Sequence, residues 1–180
     1  MKTHRIAVLA GDGIGPEVVS ETVKILQIVE QLFKYDFEFE EALIGAIAID
    51  ETGDPLPDET LRLCKNSDAV LFGSIGDPKY DHNPNAKVRP EQGLLKLRKE
   101  LGLYANIRPI KAYESLLGKS PLKRSHIEGT DMVIFRELIN GIYFGDKFTA
   151  EDHSYAYDTC TYSRNDIEQI THLAFQEAMK

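Results

Sequence analysis

With 180 residues, 42% hydrophobic and 28% charged, the chain has the balance of a folded soluble protein and the length of one ordinary domain or parts of two. Its 29 acidic residues outnumber 21 basic ones, and the net charge of −8 argues against non-specific binding to nucleic acid or an anionic membrane. No apolar run nears the roughly 20 residues needed to cross a bilayer, Met1–Arg5 does not lead into a secretory signal, and two widely spaced cysteines, Cys64 and Cys160, argue against structural zinc or a disulfide framework and for a reduced, cytoplasmic protein.

Ile6-Ala7-Val8-Leu9-Ala10 is a continuous apolar run, the pattern of a central strand buried on both faces. Gly11-Asp12-Gly13-Ile14-Gly15-Pro16-Glu17 follows. Its glycines suit a tight turn, Pro16 suits the first helical position and Glu17 the positive end of the helix dipole. Val18, Val19, Thr22, Ile25, Leu26, Val29 and Leu32-Phe33 then recur at helical spacing, so the opening reads as strand, turn, helix. Phe37 and Phe39 alternate with acidic residues in a second strand. A helix is expected over 58–66 and a strand over 68–73, ended by Gly73. Residues 74–90 hold Gly76, Pro78, Pro84 and Pro90 and read as a long loop of the kind that binds ligands.

A helix over 91–101 and a strand over 104–110 come next. Residues 131–136 read as a buried strand with Arg136 at its carboxyl end, and Ile142-Tyr143-Phe144 as a short strand between glycines. Tyr155, Tyr157, Thr159 and Thr161 fall on one side of an exposed strand or arm. Ser163 with Asp166 makes a capping box for a last helix carrying Ile167, Ile170, Leu173, Ala174 and Phe175. The end at Lys180 fits either a natural last helix or a cut in a longer protein.

Chemistry concentrates in the second half. Glu91, Leu94-Leu95 and Arg98 share one helix face, Asn106 and Arg108 share one strand face, and Arg136 ends another strand. Ligands of open α/β sheets collect at the carboxyl ends of strands. Three arginines there suit an anion with more than one carboxylate, because a guanidinium grips a carboxylate with two parallel hydrogen bonds. Structural ion pairing is the competing reading for the arginines, and packing into the core is the competing reading for the leucines. The Gly11–Gly15 turn departs from G-x-G-x-x-G by one position and reads as architecture, with anion binding at a helix start as the alternative. Tyr143, between Gly141 and Gly145, is either a packed aromatic or a hydroxyl that passes a proton.

In combination, the stretches 6–17, 69–76, 89–99, 105–109 and 136–145 resemble the 3-isopropylmalate dehydrogenases, within the β-decarboxylating dehydrogenase family, and the likeness runs along essentially the whole chain. The resemblance implies an α/β fold with the isopropylmalate/isocitrate dehydrogenase-like two-domain open-sheet architecture, incomplete in this chain: residues 1–103 would be the amino-terminal part of the first domain and 104–180 the opening of the second, dimerisation domain. It implies NAD-dependent oxidative decarboxylation of 3-isopropylmalate in leucine biosynthesis by a cytoplasmic homodimer using Mg2+ or Mn2+. By residue match, Tyr143 is catalytic and Arg98, Arg108 and Arg136 hold substrate carboxylates. Leu94 and Leu95 line the isopropyl pocket, and Ile14, Ser74, Gly76, Asp77, Pro78 and Glu91 belong to the cofactor site. The family's catalytic lysine, metal-binding aspartates and adenosine loop correspond to sequence beyond Lys180, so no metal ligand is expected here and the chain alone should be catalytically incomplete. Asp77, Tyr80 and Asn140 depart from the glycine, tryptophan and glycine usual at those places. The alternatives are a related dehydrogenase of D-malate, tartrate or homoisocitrate, or a non-catalytic binding protein complete at Lys180.

Overall fold

A computed structural model describes residues 2–81 and 87–180. They divide into two units, one ending at Leu101 and the other starting at Gly102.

In the first unit, β1 (Thr3–Gly11) lies between β2 (Asp36–Glu41) and β3 (Ala69–Ser74), all parallel, in the order β2-β1-β3. The apolar run at 6–9 makes β1 central, because only a strand covered on both faces keeps four successive apolar residues from water. Its pleat splits them. Ala7 and Leu9 face a core of Ile44, Leu56, Cys64 and Leu97, whereas Ile6 and Val8 face Val19. Full burial of a side chain such as Leu9 is worth about 1.5–3 kcal/mol. Helix α1 (Gly15–Phe33) starts at the glycine turn with Pro16 in its first turn and ends at Lys34, in the left-handed region at φ 57°. It buries Val19, but Val18, Ile25, Leu32 and Phe33 of its apolar set stay exposed.

Helix α2 (Ala46–Thr52), bracketed by Gly45 and Gly53, was not anticipated from the sequence. Helix α3 (Asp58–Lys65) follows the Pro55–Pro57 turn as expected. The loop at 74–90 contains one helical turn, α4 (Pro78–Asp81), while Pro84 lies outside the described residues. Helix α5 (Pro90–Glu100) starts with Pro90 at its first position, and the Gln92 side chain accepts from the Arg89 N–H at 3.0 Å. Gly93 and Leu97 form its buried face, and Gly93 packs so close to the Pro55 carbonyl that a Cβ would not fit.

In the second unit, β4 (Ala105–Lys111) and β5 (Asp131–Glu137) form an antiparallel pair. They are linked by a 3₁₀ segment at Glu114–Lys119 and by α6 (Arg124–Ile127). The expected buried strand at 131–136 is a strand, but Met132, Val133 and Ile134 are exposed. A two-stranded pair leaves β5 with a single neighbour, so its apolar residues are covered less than those of β1. Ile142-Tyr143-Phe144 is not a strand either; Gly141–Tyr143 is a single 3₁₀ turn. The Tyr-rich arm forms β7 (Ala156–Asp158) against β6 (Lys147–Thr149), with Phe148 packed on Tyr155 and Tyr157 at 5.5 and 5.7 Å between ring centres. Ser163 caps α7 (Arg164–Ala178) reciprocally with Asp166, as the spacing predicts.

Candidate functional site

The two units present separate clusters of the predicted residues. In the second unit the register pairs Asn106 with Arg136 and Arg108 with Ile134. Directly paired residues project to one face, and residues two apart on a strand share it, so Asn106, Arg108 and Arg136 form one polar row. Arg108 Nε donates to Asn106 Oδ1 at 2.8 Å, which aims the guanidinium along the row. The Arg136 guanidinium sits over the Tyr143 ring, 5.7 Å from its centre, in cation–π contact. The β4–β5 pair thus brings Arg108, Arg136 and Tyr143 into one neighbourhood, with Tyr143 just over half exposed.

The turn that carries Tyr143 is built locally. Glu137 accepts from the backbone N–H groups of Ile139 and Asn140 at 3.1 and 3.2 Å, and from Asn140 Nδ2 at 2.9 Å. Asn140 is therefore a strut of the turn: its amide helps hold the carboxylate that folds the chain back. Gly141 adopts φ 72°, and the Tyr162 side chain fills the space a Cβ would need. The Gly141 N–H donates to the Thr161 carbonyl at 3.0 Å, so the arm after β7 closes the turn from the other side. Loss of water contact, and then the neighbouring Cys160 and Glu137, push the Tyr162 phenol above its ordinary range.

In the first unit the hub is Asp12, a residue sequence reasoning passed over. It is 6% exposed, and its carboxylate accepts from the N–H groups of Ala46 at 2.8 Å, Ile47 at 3.0 Å and Gly76 at 3.0 Å. The positive end of α2 and the backbone beyond β3 thereby satisfy one buried charge, where a carboxylate is favoured by the helix dipole. Gly45 has φ 85°, and a Cβ there would run into the Asp12 carboxylate. The Asp12 N–H donates to the Ser74 carbonyl at 2.7 Å, and Ser74 Oγ donates to the Asp12 carbonyl at 2.6 Å. An acid between two glycines, directly after an apolar strand run, was the available signal.

This knot gathers Ile14, Ser74 and Gly76 at the carboxyl ends of β1 and β3. Ile14 is 59% exposed, and the bare backbone of Gly76 faces Glu91, whose Oε1 would touch a Cβ there at 3.4 Å. Asp77 and Pro78 follow directly. Asp77 accepts from the Lys79 N–H at 2.9 Å, and Asp50 on α2 accepts from Lys79 Nζ at 2.5 Å and the Tyr80 hydroxyl at 2.8 Å. These bonds, Lys79's first, hold the Asp50 carboxyl below its ordinary range, and the same contact raises Lys79.

On α5, Leu94, Leu95 and Arg98 are half-buried, and Leu97 is the residue the helix gives to the core. The leucine pair is therefore only partly covered, in contrast to Leu97. A cavity of about 600 Å³ between α1 and the β1–β2 edge, walled mainly by Val8, Ala10, Val19, Val23, Leu43 and Ile47, contains none of the predicted site residues. Among the described residues no three His, Cys, Asp or Glu side chains gather as a metal site, and no helix is long and apolar enough to cross a membrane.

The geometry has counterparts in known proteins. The 3-isopropylmalate dehydrogenase of Bacteroides fragilis is 53% identical over 176 residues, 98% of this chain and 49% of that protein. The 3-isopropylmalate dehydrogenase of Aquifex aeolicus is 49% identical over 100% of this chain and 50% of its own length. Isocitrate dehydrogenase from Methylococcus capsulatus superposes with a TM-score of 0.78 at 26% identity, covering 98% of this chain and 48% of that one. A β-decarboxylating dehydrogenase from Thermococcus kodakarensis superposes at 0.67 with 35% identity, over 98% and 46%. The chain thus spans about half the length of the curated relatives it matches. The family model for isocitrate/isopropylmalate dehydrogenase matches residues 5–180, and the chain belongs to that family.

Proposed function

We propose that this chain is part of an NAD-dependent 3-isopropylmalate dehydrogenase that oxidises the substrate hydroxyl and releases the β-carboxylate as carbon dioxide. The observation that carries the reading is the row Arg108–Asn106–Arg136 ending on the Tyr143 ring. It combines two guanidinium forks, fit for carboxylates, with a phenol in reach of the same ligand.

In this reading Arg108 and Arg136, joined functionally by Arg98, bind the substrate carboxylates and fix its orientation. Asn106 keeps Arg108 pointed, and Glu137 with Asn140 keeps the Tyr143 turn in place. Loss of the β-carboxylate as carbon dioxide from the 2-keto acid leaves its bonding electrons as an enolate, and the Tyr143 hydroxyl delivers the proton to the enolate carbon. Leu94 and Leu95 receive the isopropyl branch. An additional carboxylate in their place, as in homoisocitrate, would lose water without gaining a partner, so the pair selects against it.

Ile14, Ser74, Gly76, Asp77, Pro78 and Glu91 would hold NAD. The exposed apolar Ile14 and the bare Gly76 backbone at the strand ends suit a flat ring, and a carboxylate at Glu91 suits hydroxyl groups. Bound there, NAD supplies the hydride acceptor for the oxidation. The reading takes the ligands of the divalent ion, Mg2+ or Mn2+, to lie in sequence beyond Lys180. The proposal extends to a cytoplasmic homodimer in leucine biosynthesis. Residues 1–103 would be part of its first domain and 104–180 the opening of its dimerisation domain, and this chain alone would be inactive.

The test is turnover by the full-length protein with NAD, Mg2+ or Mn2+ and 3-isopropylmalate, followed by nicotinamide absorbance and released carbon dioxide. Reduction of NAD with release of carbon dioxide supports the reading. Turnover only with D-malate, tartrate or homoisocitrate would reject the substrate, and no turnover with any of them would reject the activity.

A further inference from the structure

We propose that α2 is the platform that holds the Ser74–Asp81 segment in its working shape, with Asp50 as a positioning residue acting through Lys79 and Tyr80. This rests on the reading that the segment receives NAD.

Two tethers run between α2 and that segment. The inner one is Asp12, whose carboxylate takes the N–H groups of Ala46 and Ile47 on α2 and that of Gly76 on the segment. The outer one is Asp50, whose two carboxylate oxygens take Lys79 Nζ at 2.5 Å and the Tyr80 hydroxyl at 2.8 Å. Ala46 and Asp50 are four residues apart, so the tethers grip successive turns on one side of the helix. The outer tether is braced within the segment as well. The Lys79 ammonium lies 5.3 Å from the centre of the Tyr80 ring and 3.6 Å from the Asp77 carboxylate.

The need for such tethers follows from length. Helix α4 has four residues and α2 has seven, and helices this short do not hold themselves together in water. Their order must come from contacts outside their own hydrogen bonds. Asp12 fixes Ser74 and Gly76, and nothing in those bonds restrains the chain three and four residues further on. Asp50 supplies the restraint there. Tyr80 reaches it by its phenol. A segment held in its binding shape loses less freedom when ligand arrives, which appears as tighter cofactor binding with little change in the chemical step.

The tether is half exposed, so its effect is modest. In the full-length protein, Asp50→Ala should raise KM for NAD on the order of fivefold and leave kcat within about twofold. Tyr80→Phe should do part of the same, and the double variant Asp50→Ala/Tyr80→Phe should show less than the product of the two single effects. Amide exchange read by mass spectrometry in Asp77–Asp81 should accelerate in Asp50→Ala while β1 keeps its protection. Unchanged exchange in Asp77–Asp81 would overturn the proposal, and so would faster exchange with an unchanged KM for NAD. If the wild-type protein neither binds nor reduces NAD, the functional reading fails on its own, and exchange in Asp77–Asp81 alone decides whether α2 holds the segment.

Discussion

Replacing Asp12 by alanine removes the acceptor for three N–H groups at once. The bond from Ala46 is fully buried, and leaving that donor unpaired costs about 1–3 kcal/mol. The bonds from Ile47 and Gly76 are partly buried, so water can replace the carboxylate and each costs nearer 0.5–1.5 kcal/mol. The sum centres on about 4 kcal/mol. Against a stability of about 5–15 kcal/mol, the variant remains folded. Cys64 provides the assay, because its thiol is 4% exposed and reacts only when the first unit opens. In a Cys160→Ser background, which removes the exposed thiol, labelling of Cys64 should accelerate on the order of a thousandfold in Asp12→Ala. An acceleration under about fivefold, near 1 kcal/mol, would refute the role assigned to the Asp12 carboxylate.

Further predictions concern both units. Gly45→Ala forces a side chain into the left-handed region and against the Asp12 carboxylate, so Cys64 labelling should accelerate at least tenfold, by roughly 1.4 kcal/mol or more. Burial pushes the Cys64 thiol above its ordinary range. The folded state then binds the thiol proton more tightly than the unfolded state, so stability is complete below the ordinary thiol value of about 8.5 and falls as pH rises past it. Urea melts should show that loss, and Cys64→Ala should lack it. Tyr143→Phe in the full-length protein should lower kcat about a hundredfold or more and leave KM for 3-isopropylmalate within a few-fold, measured by steady-state kinetics.

Local patterns carried the parts of the fold that depend on local causes. The run at 6–9 is apolar because β1 is covered on both faces, and the Ser163–Asp166 box is a complete device within four residues. Failures occurred where contacts outside the segment itself decide. Ile142-Tyr143-Phe144 has strand composition, but Glu137 captures the N–H groups of Ile139 and Asn140 and Gly141 turns to positive φ, leaving a 3₁₀ turn. Residues 131–136 have the composition of a buried strand, yet β5 has one neighbour and keeps its apolar residues exposed. Helix α2 is too short to show an apolar period, and its bracket of Gly45 and Gly53 was its main local mark.

The candidate site divides the same way. The residue types of Arg108, Arg136 and Tyr143 and the shared face of Asn106 and Arg108 were readable, but the pairing of Asn106 with Arg136 depends on a register set across 30 residues. Asp12 was hidden because a Gly-Asp-Gly turn looks complete without a buried role for its carboxylate. Asp50 was hidden because an exposed acid gains meaning only from Lys79 and Tyr80 on another helix.

The central claim is that Arg136 holds a substrate carboxylate beside Tyr143. Its most direct measurement is the KM for 3-isopropylmalate of full-length Arg136→Met against wild type, with NAD affinity as the control. The account predicts an increase on the order of a hundredfold, about 3 kcal/mol, from loss of a charge-assisted bidentate contact, with NAD affinity unchanged. A KM within about threefold of wild type would contradict it.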